Sequence, residues 1–284
     1  MPSNTKTLCL GLVGASALAV LSGCGSPEGG LAPYAKGSRS EVTAIYSSVG
    51  PGDARPEDAR GVAKTESYEL VFGGSLDGPL RGETIEGVGF DEMLRVLPES
   101  LGARNYRQSE DPGTTRLLIK VYWGSTRTPD DDRPPESRQS GELLSRAASA
   151  TSGQERDALN WQAQMMLKIE ANQDLQTDQR NADLLGYSGD IDRADSDPAR
   201  LAALKAEVRE RRLYVVLMAY DCQSARHLGR ERLLWQTRFS IPRQGNDFER
   251  ALPLMAFSAS DFFGRDSGGI VHRILGEGGD RARP

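Results

Sequence analysis

The amino-acid sequence predicts an α+β fold: a two-layer α/β sandwich with a mixed or antiparallel sheet, two amphipathic helices on one face and a helical insertion. Three observations predict it. Segments that alternate every second residue are interleaved with two segments whose apolar residues recur every three or four. Each of those two helices has one apolar face, and a sheet can cover both. Between the second and third long strands lies a polar stretch, 125–212, with an intermittent helical period.

The elements follow in order. EVTAIYS, 41–47, reads as a short strand, and SVGPGDARPEDARG after it is turn and loop chemistry. SYELVF is β-prone. Phe90, Met93, Leu94, Leu97 and Leu101 mark one face of a helix; Pro98 belongs to its last turns or kinks it, and Gly102 suits the position after its end. In TTRLLIKVYW, Leu117, Ile119, Val121 and Trp123 share one strand face, with Leu118, Lys120 and Tyr122 on the other.

The insertion opens with STRTPDDDRPPESRQS, which has the composition of a disordered segment. Ala158, Trp161, Met165 and Ile169 then form a helical stripe, and Gly186 and Gly189 break it. Asp197 as N-cap with Pro198 at the first helical position starts another helix, with Leu201, Leu204 and Val208 on one face. LYVVLMAYD, apolar on both faces, reads as a central strand. CQSARHLGRE reads as a polar turn, and RLLWQTRFSI as the second strand of a hairpin. A last helix has Asn246 and Glu249 as a capping box, with Phe248, Ala251, Leu252, Met255, Ala259 and Phe262 as its stripe. The sandwich domain is therefore expected over 41–124 and 213–264, with 265–284 a flexible tail from which Ile270 to Leu275 can pack back.

The front end sets the expected address. After Lys6, residues 8–21 are uncharged and rich in Leu, Ala, Val and Gly, too short to cross a ~30 Å hydrocarbon core but suited to the apolar part of a secretory signal. Leu21-Ser22-Gly23-Cys24 resembles the lipobox of bacterial lipoproteins. That resemblance implies a signal peptide over 1–23 and a mature chain that begins at a diacylglycerol-modified, N-acylated Cys24. Two or more acyl chains hold a protein firmly to a bilayer. Gly25, where an aspartate retains many lipoproteins at the inner membrane, implies the outer membrane, facing the periplasm. Residues 24–40 read as a Gly- and Ser-containing tether spanning roughly 20–25 Å. The element order of the body resembles TolB amino-terminal and CsgG-like envelope domains and uncharacterised envelope lipoproteins.

A net charge of −5, with both signs spread along the chain, gives no nucleic-acid footprint. Of three cysteines, Cys9 leaves with the signal and Cys24 takes lipid, so Cys222 has no intramolecular disulfide partner and is expected in the core. DSGG, 266–269, resembles the serine-protease nucleophile motif, but Arg265 replaces its leading glycine and His227 lacks the family's setting. GYSGD, 186–190, misses the nucleophile-elbow pattern. Asp190, Asp192 and Asp195 are candidate calcium ligands in DIDRADSD, against a solvated loop leading into a capped helix; the EF-hand spacing fails. Asp130 to Asp132 read as solvated loop. No phosphate-binding glycine loop follows a strand, and no cofactor is implied. Trp123 and Trp235 belong to the core. Trp161, Met165 and Met166 are candidates for a partner-binding surface, against the alternative of a packed helical arm. The expectation is a lipid-anchored, non-enzymatic envelope protein that works through protein contacts. An envelope hydrolase and a calcium- or small-ligand-binding module are the alternatives.

Overall fold

The computed structural model describes residues 42–74, 84–85, 87–111, 113–128, 131 and 139–275. The expected signal, Cys24 and tether lie outside the described residues, as do Asp130, Asp132 and residues 276–284 of the tail. The chain runs β1 (Val42–Val49), β2 (Glu66–Phe72), β3 (Thr84–Ile85), β4 (Val88–Gly89), α1 (Phe90–Gly102), β5 (Tyr106–Gln108) and β6 (Leu117–Ser125). The insertion contributes α2 (Gln139–Ser149), α3 (Gly153–Leu185), α4 (Ser188–Arg193) and α5 (Pro198–Arg209). Then come β7 (Arg212–Asp221), α6 (Cys222–Leu228), β8 (Leu233–Pro242), α7 (Phe248–Ala259) and β9 (Val271–Ile274).

The protein is α+β, with a mixed seven-stranded sheet in the order β5-β2-β6-β7-β8-β1-β9. β2 is parallel to both β5 and β6; every other pairing in this sheet is antiparallel. β7 pairs along its length with β6 and β8, and it is apolar on both sides because both of its faces are covered. Val215 and Leu217 face the core under α1 and α7, while Tyr214 and Val216 face the end of α3 together with α5. The two amphipathic helices thus share one face, and the C-terminal half of the insertion covers part of the other.

Several local expectations shift, each for a physical reason. In α1 the buried face is Met93, Val96, Leu97, Ser100 and Leu101, with Leu94 turned outward. The left-handed residue after α1 is Asn105, at φ 60, rather than Gly102. The stretch from Cys222 is a short helix, not a plain turn, because the Asp221 carboxylate accepts from Ser224 N–H and Gly229 closes the other end at φ 59. The register of the β7–β8 hairpin slips between Ala219 and Tyr220, and this bulge turns Leu234 into the core while Leu233 stays exposed. The N-cap of α7 is Asp247, one residue after Asn246, whose amide instead donates to Pro242 O. Gly189 lies within α4 and breaks nothing; Gly186, left-handed at φ 86, ends α3. The first part of the tail is ordered: residues 271–274 form edge strand β9 on β1.

Candidate functional site

Two places gather the residues that chemistry or contact would need. The first is a polar cleft between α5 and β9. Gly186 ends α3 and directs the fully buried Tyr187 beneath α5. Its hydroxyl donates to Glu207 Oε2 at 2.6 Å, and His272 Nε2, on β9, lies 2.8 Å from the same oxygen. Beside them the buried Arg212 donates to Ser240 Oγ at 3.0 Å and Ser240 O at 3.2 Å, and faces Glu210 at 3.4 Å. Glu207, Glu210, Arg212 and His272 line a cavity of about 260 Å³.

Burial works to raise the Glu207 carboxyl pKa, but the hydrogen bonds and charge of His272, with Tyr187 and Arg212, outweigh it and hold the carboxyl below its ordinary range. Burial pushes the Tyr187 phenol well above its ordinary value. Glu207 therefore stays ionised, ready to accept hydrogen bonds and poorly suited to donating a proton. In this structure it ties β9 to α5. Its stabilisation is present above the unfolded carboxylate value of ~4.3 and is lost as pH falls through the lowered folded value. Glu207→Gln should cost about 1–2 kcal/mol at pH 7. Its deficit against the parent should shrink at pH 3, as read from urea midpoints. A deficit that does not change with pH would contradict this.

The candidate calcium ligands are not brought together. Asp192 and Asp195 are exposed, whereas Asp190 is buried. Asp190 Oδ2 accepts Ile270 N–H at 2.8 Å, and Oδ1 meets Arg193 at 3.2 Å and Arg200 at 3.3 Å. Asp197 caps α5, accepting from Arg200 N–H at 3.1 Å. Among the described residues no group of three or more His, Cys, Asp or Glu is placed to hold a metal ion. DSGG is a clasp: Ser267 Oγ accepts Ser47 N–H at 2.9 Å and lies 2.6 Å from Gly269 O, while Asp266 accepts Gly268 N–H. Cys222 is buried and free, and Trp123 and Trp235 are in the core.

The second place is the arm formed by α2 and α3. Ser140 near the start of α2 reaches Glu170 on α3 at 3.2 Å, so the two helices run antiparallel after the short turn at 150–152. α3 turns Leu159 and Ala163 inward, and Ala147 of α2 is buried as well. The stripe read from the sequence is therefore not what packs the arm. Trp161 is 64% exposed, Met165 42%, Ile169 48% and Leu175 65%. Met166, about 100° round the helix from Met165, is half-buried. α3 thus has apolar residues on opposite sides: Leu159 and Ala163 are covered, Leu167 further along that side is 44% exposed, and the side of Trp161, Met165 and Ile169 is uncovered. No helix among the described residues is long and apolar enough to cross a membrane.

Sequence reasoning singled out Trp161 and Met165 but missed Tyr187, Glu207 and His272. Those three come from separate elements, and β9 is too short to show a period. No protein-family model and no curated protein sequence matches the chain.

Proposed function

We propose that this protein is a lipid-anchored component of the bacterial cell envelope. It is held to the outer membrane through acylated Cys24, faces the periplasm, and works by protein–protein contact rather than catalysis. The observation that carries the contact reading is the exposed row of Trp161, Met165 and Ile169 on α3, each four residues from the next, with Leu175 also exposed further along the helix. Isolated exposed apolar residues are ordinary, but a contiguous row built around a Trp has the make-up of an interaction surface. The lipobox-like front end supports the address, and the tether gives the body reach from the bilayer.

A photoreactive phenylalanine derivative at position 161 tests the contact. Irradiated in intact cells, it should yield a discrete protein adduct, while the same probe at the exposed Asp192 should yield none. No adduct from 161, or equal adducts from both, would contradict the reading. Metabolic labelling with an alkynyl fatty acid tests the anchor: label should enter the parent protein and be absent from Cys24→Ser.

A further inference from the structure

We infer that the uncovered face of α3 is a self-association surface, on which two copies of this chain pair antiparallel about a two-fold axis near residues 162 and 163. This inference rests on the arm being a docking surface, and it names the partner.

At 100° per residue, one third of α3 between residues 154 and 176 carries Ala158, Trp161, Met165, Ile169 and Leu175. Every residue on that third is exposed. Its remaining positions are three amides, Gln154, Asn172 and Gln176, and two charges, Asp157 and Lys168. These two have opposite sign and are eleven residues apart, about 16 Å along the axis and within about 20° around it. The other charged residues of this stretch, Glu155, Arg156, Glu170 and Asp174, fall elsewhere round the helix. Such a face is charge-complementary to its own copy. Antiparallel pairing centred between 162 and 163 sets Asp157 of each copy against Lys168 of the other, whereas parallel pairing sets Asp157 beside Asp157. The same centring brings Trp161 of each copy to Met165 of the other, a favourable sulfur–aromatic contact.

The area is of the right order as well. Trp161, Met165 and Ile169, the large apolar side chains that this centring sets against the partner's α3, expose on the order of 330 Å², about two-thirds of the apolar share (three-fifths) of the ~800 Å² that a standard interface takes from each partner; Leu175 falls opposite the partner's 150–152 turn. A two-fold interface is also the commonest way for one surface patch to satisfy itself.

Density-matched sedimentation equilibrium of the full chain, extracted from membranes in non-ionic detergent, tests the pairing through charge reversal. The parent should be a dimer. Asp157→Lys alone and Lys168→Asp alone should each weaken association about tenfold, since each replaces two attractive pairs with two repulsive ones. The double reversal should restore association to within about twofold. Trp161→Asp should give monomer with unchanged helical circular dichroism. A monomeric parent, a dimer indifferent to Trp161→Asp, or a double reversal that fails to restore would each overturn the pairing. If the parent is monomeric while the probe at 161 still gives a discrete protein adduct that is not a dimer of this chain, self-pairing fails and the docking reading stands. Adducts to phospholipid alone overturn both.

Discussion

Gly186→Ala is expected to destabilise the protein by about 2–5 kcal/mol, from a left-handed backbone of ~1–2 and an overpacked contact of ~1–3. Gly186 sits at φ 86 and closes α3, its N–H bonded to Ala182 O at 2.9 Å. A methyl group there would lie 2.6 Å from Cβ and Cδ1 of Tyr46. Tyr46 is mid-strand in β1, paired with Arg238 of β8, so the ring is carried by a strand that is itself held on both edges. Relief would have to come from Tyr187, which would lose its place beneath α5. Gly229→Ala is the control. Gly229 is also left-handed, at φ 59, and also ends a helix, but nothing lies within 4 Å of its missing Cβ. It should cost only about 1 kcal/mol. At ~2–4 °C per kcal/mol for a chain of this size, calorimetry should separate the two substitutions clearly. Equal losses would contradict the packing of β1 against the end of α3.

Asp190→Ala should cost about 3 kcal/mol, as expected when one member of a buried charged network is removed. Asp190 serves two guanidiniums and the Ile270 N–H, and Gly269 passes so close that a Cβ there would lie 2.8 Å from its carboxylate. The arginines are partly exposed and can turn to water; the Ile270 N–H is the group left without its partner. The loss should therefore concentrate in the C-terminal segment. Amide exchange in 266–274 should quicken more than in β7, and Asp192→Ala should change stability by less than about 0.5 kcal/mol. Uniform exchange across the sheet, or equal losses at 190 and 192, would contradict the clasp.

Periodicity made the sheet legible where strands are long. β6, β7 and β8 repeat their apolar residues over enough positions to announce both faces, and Asp197-Pro198 starts α5 through backbone chemistry that needs no tertiary context. What stayed hidden depends on contacts distant in sequence. β9 has four residues and exists because β1 offers it a ladder, Ser267 clasps Ser47 and Asp190 holds Ile270. The Tyr187–Glu207–His272 cluster spans three elements, and no local pattern predicts it. The arm was half legible. Its stripe is real, but α3 carries apolar residues on two sides, and spacing alone does not say which side meets α2. In the structure Leu159 and Ala163 are buried on that side, as is Ala147 of α2, and Trp161 is left outside.

Hydroxyl-radical footprinting of the arm addresses the central claim most directly, because Trp161 and Met165 are reactive side chains on the face in question. Labelling is compared between intact cells and the purified protein at a dilution that dissociates any complex. If the arm works by contact, Trp161, Met165 and Ile169 should be protected in cells while the exposed Leu254 of α7 reacts alike in both samples. Equal oxidation of Trp161 and Met165 in both would show a bare arm and contradict the account.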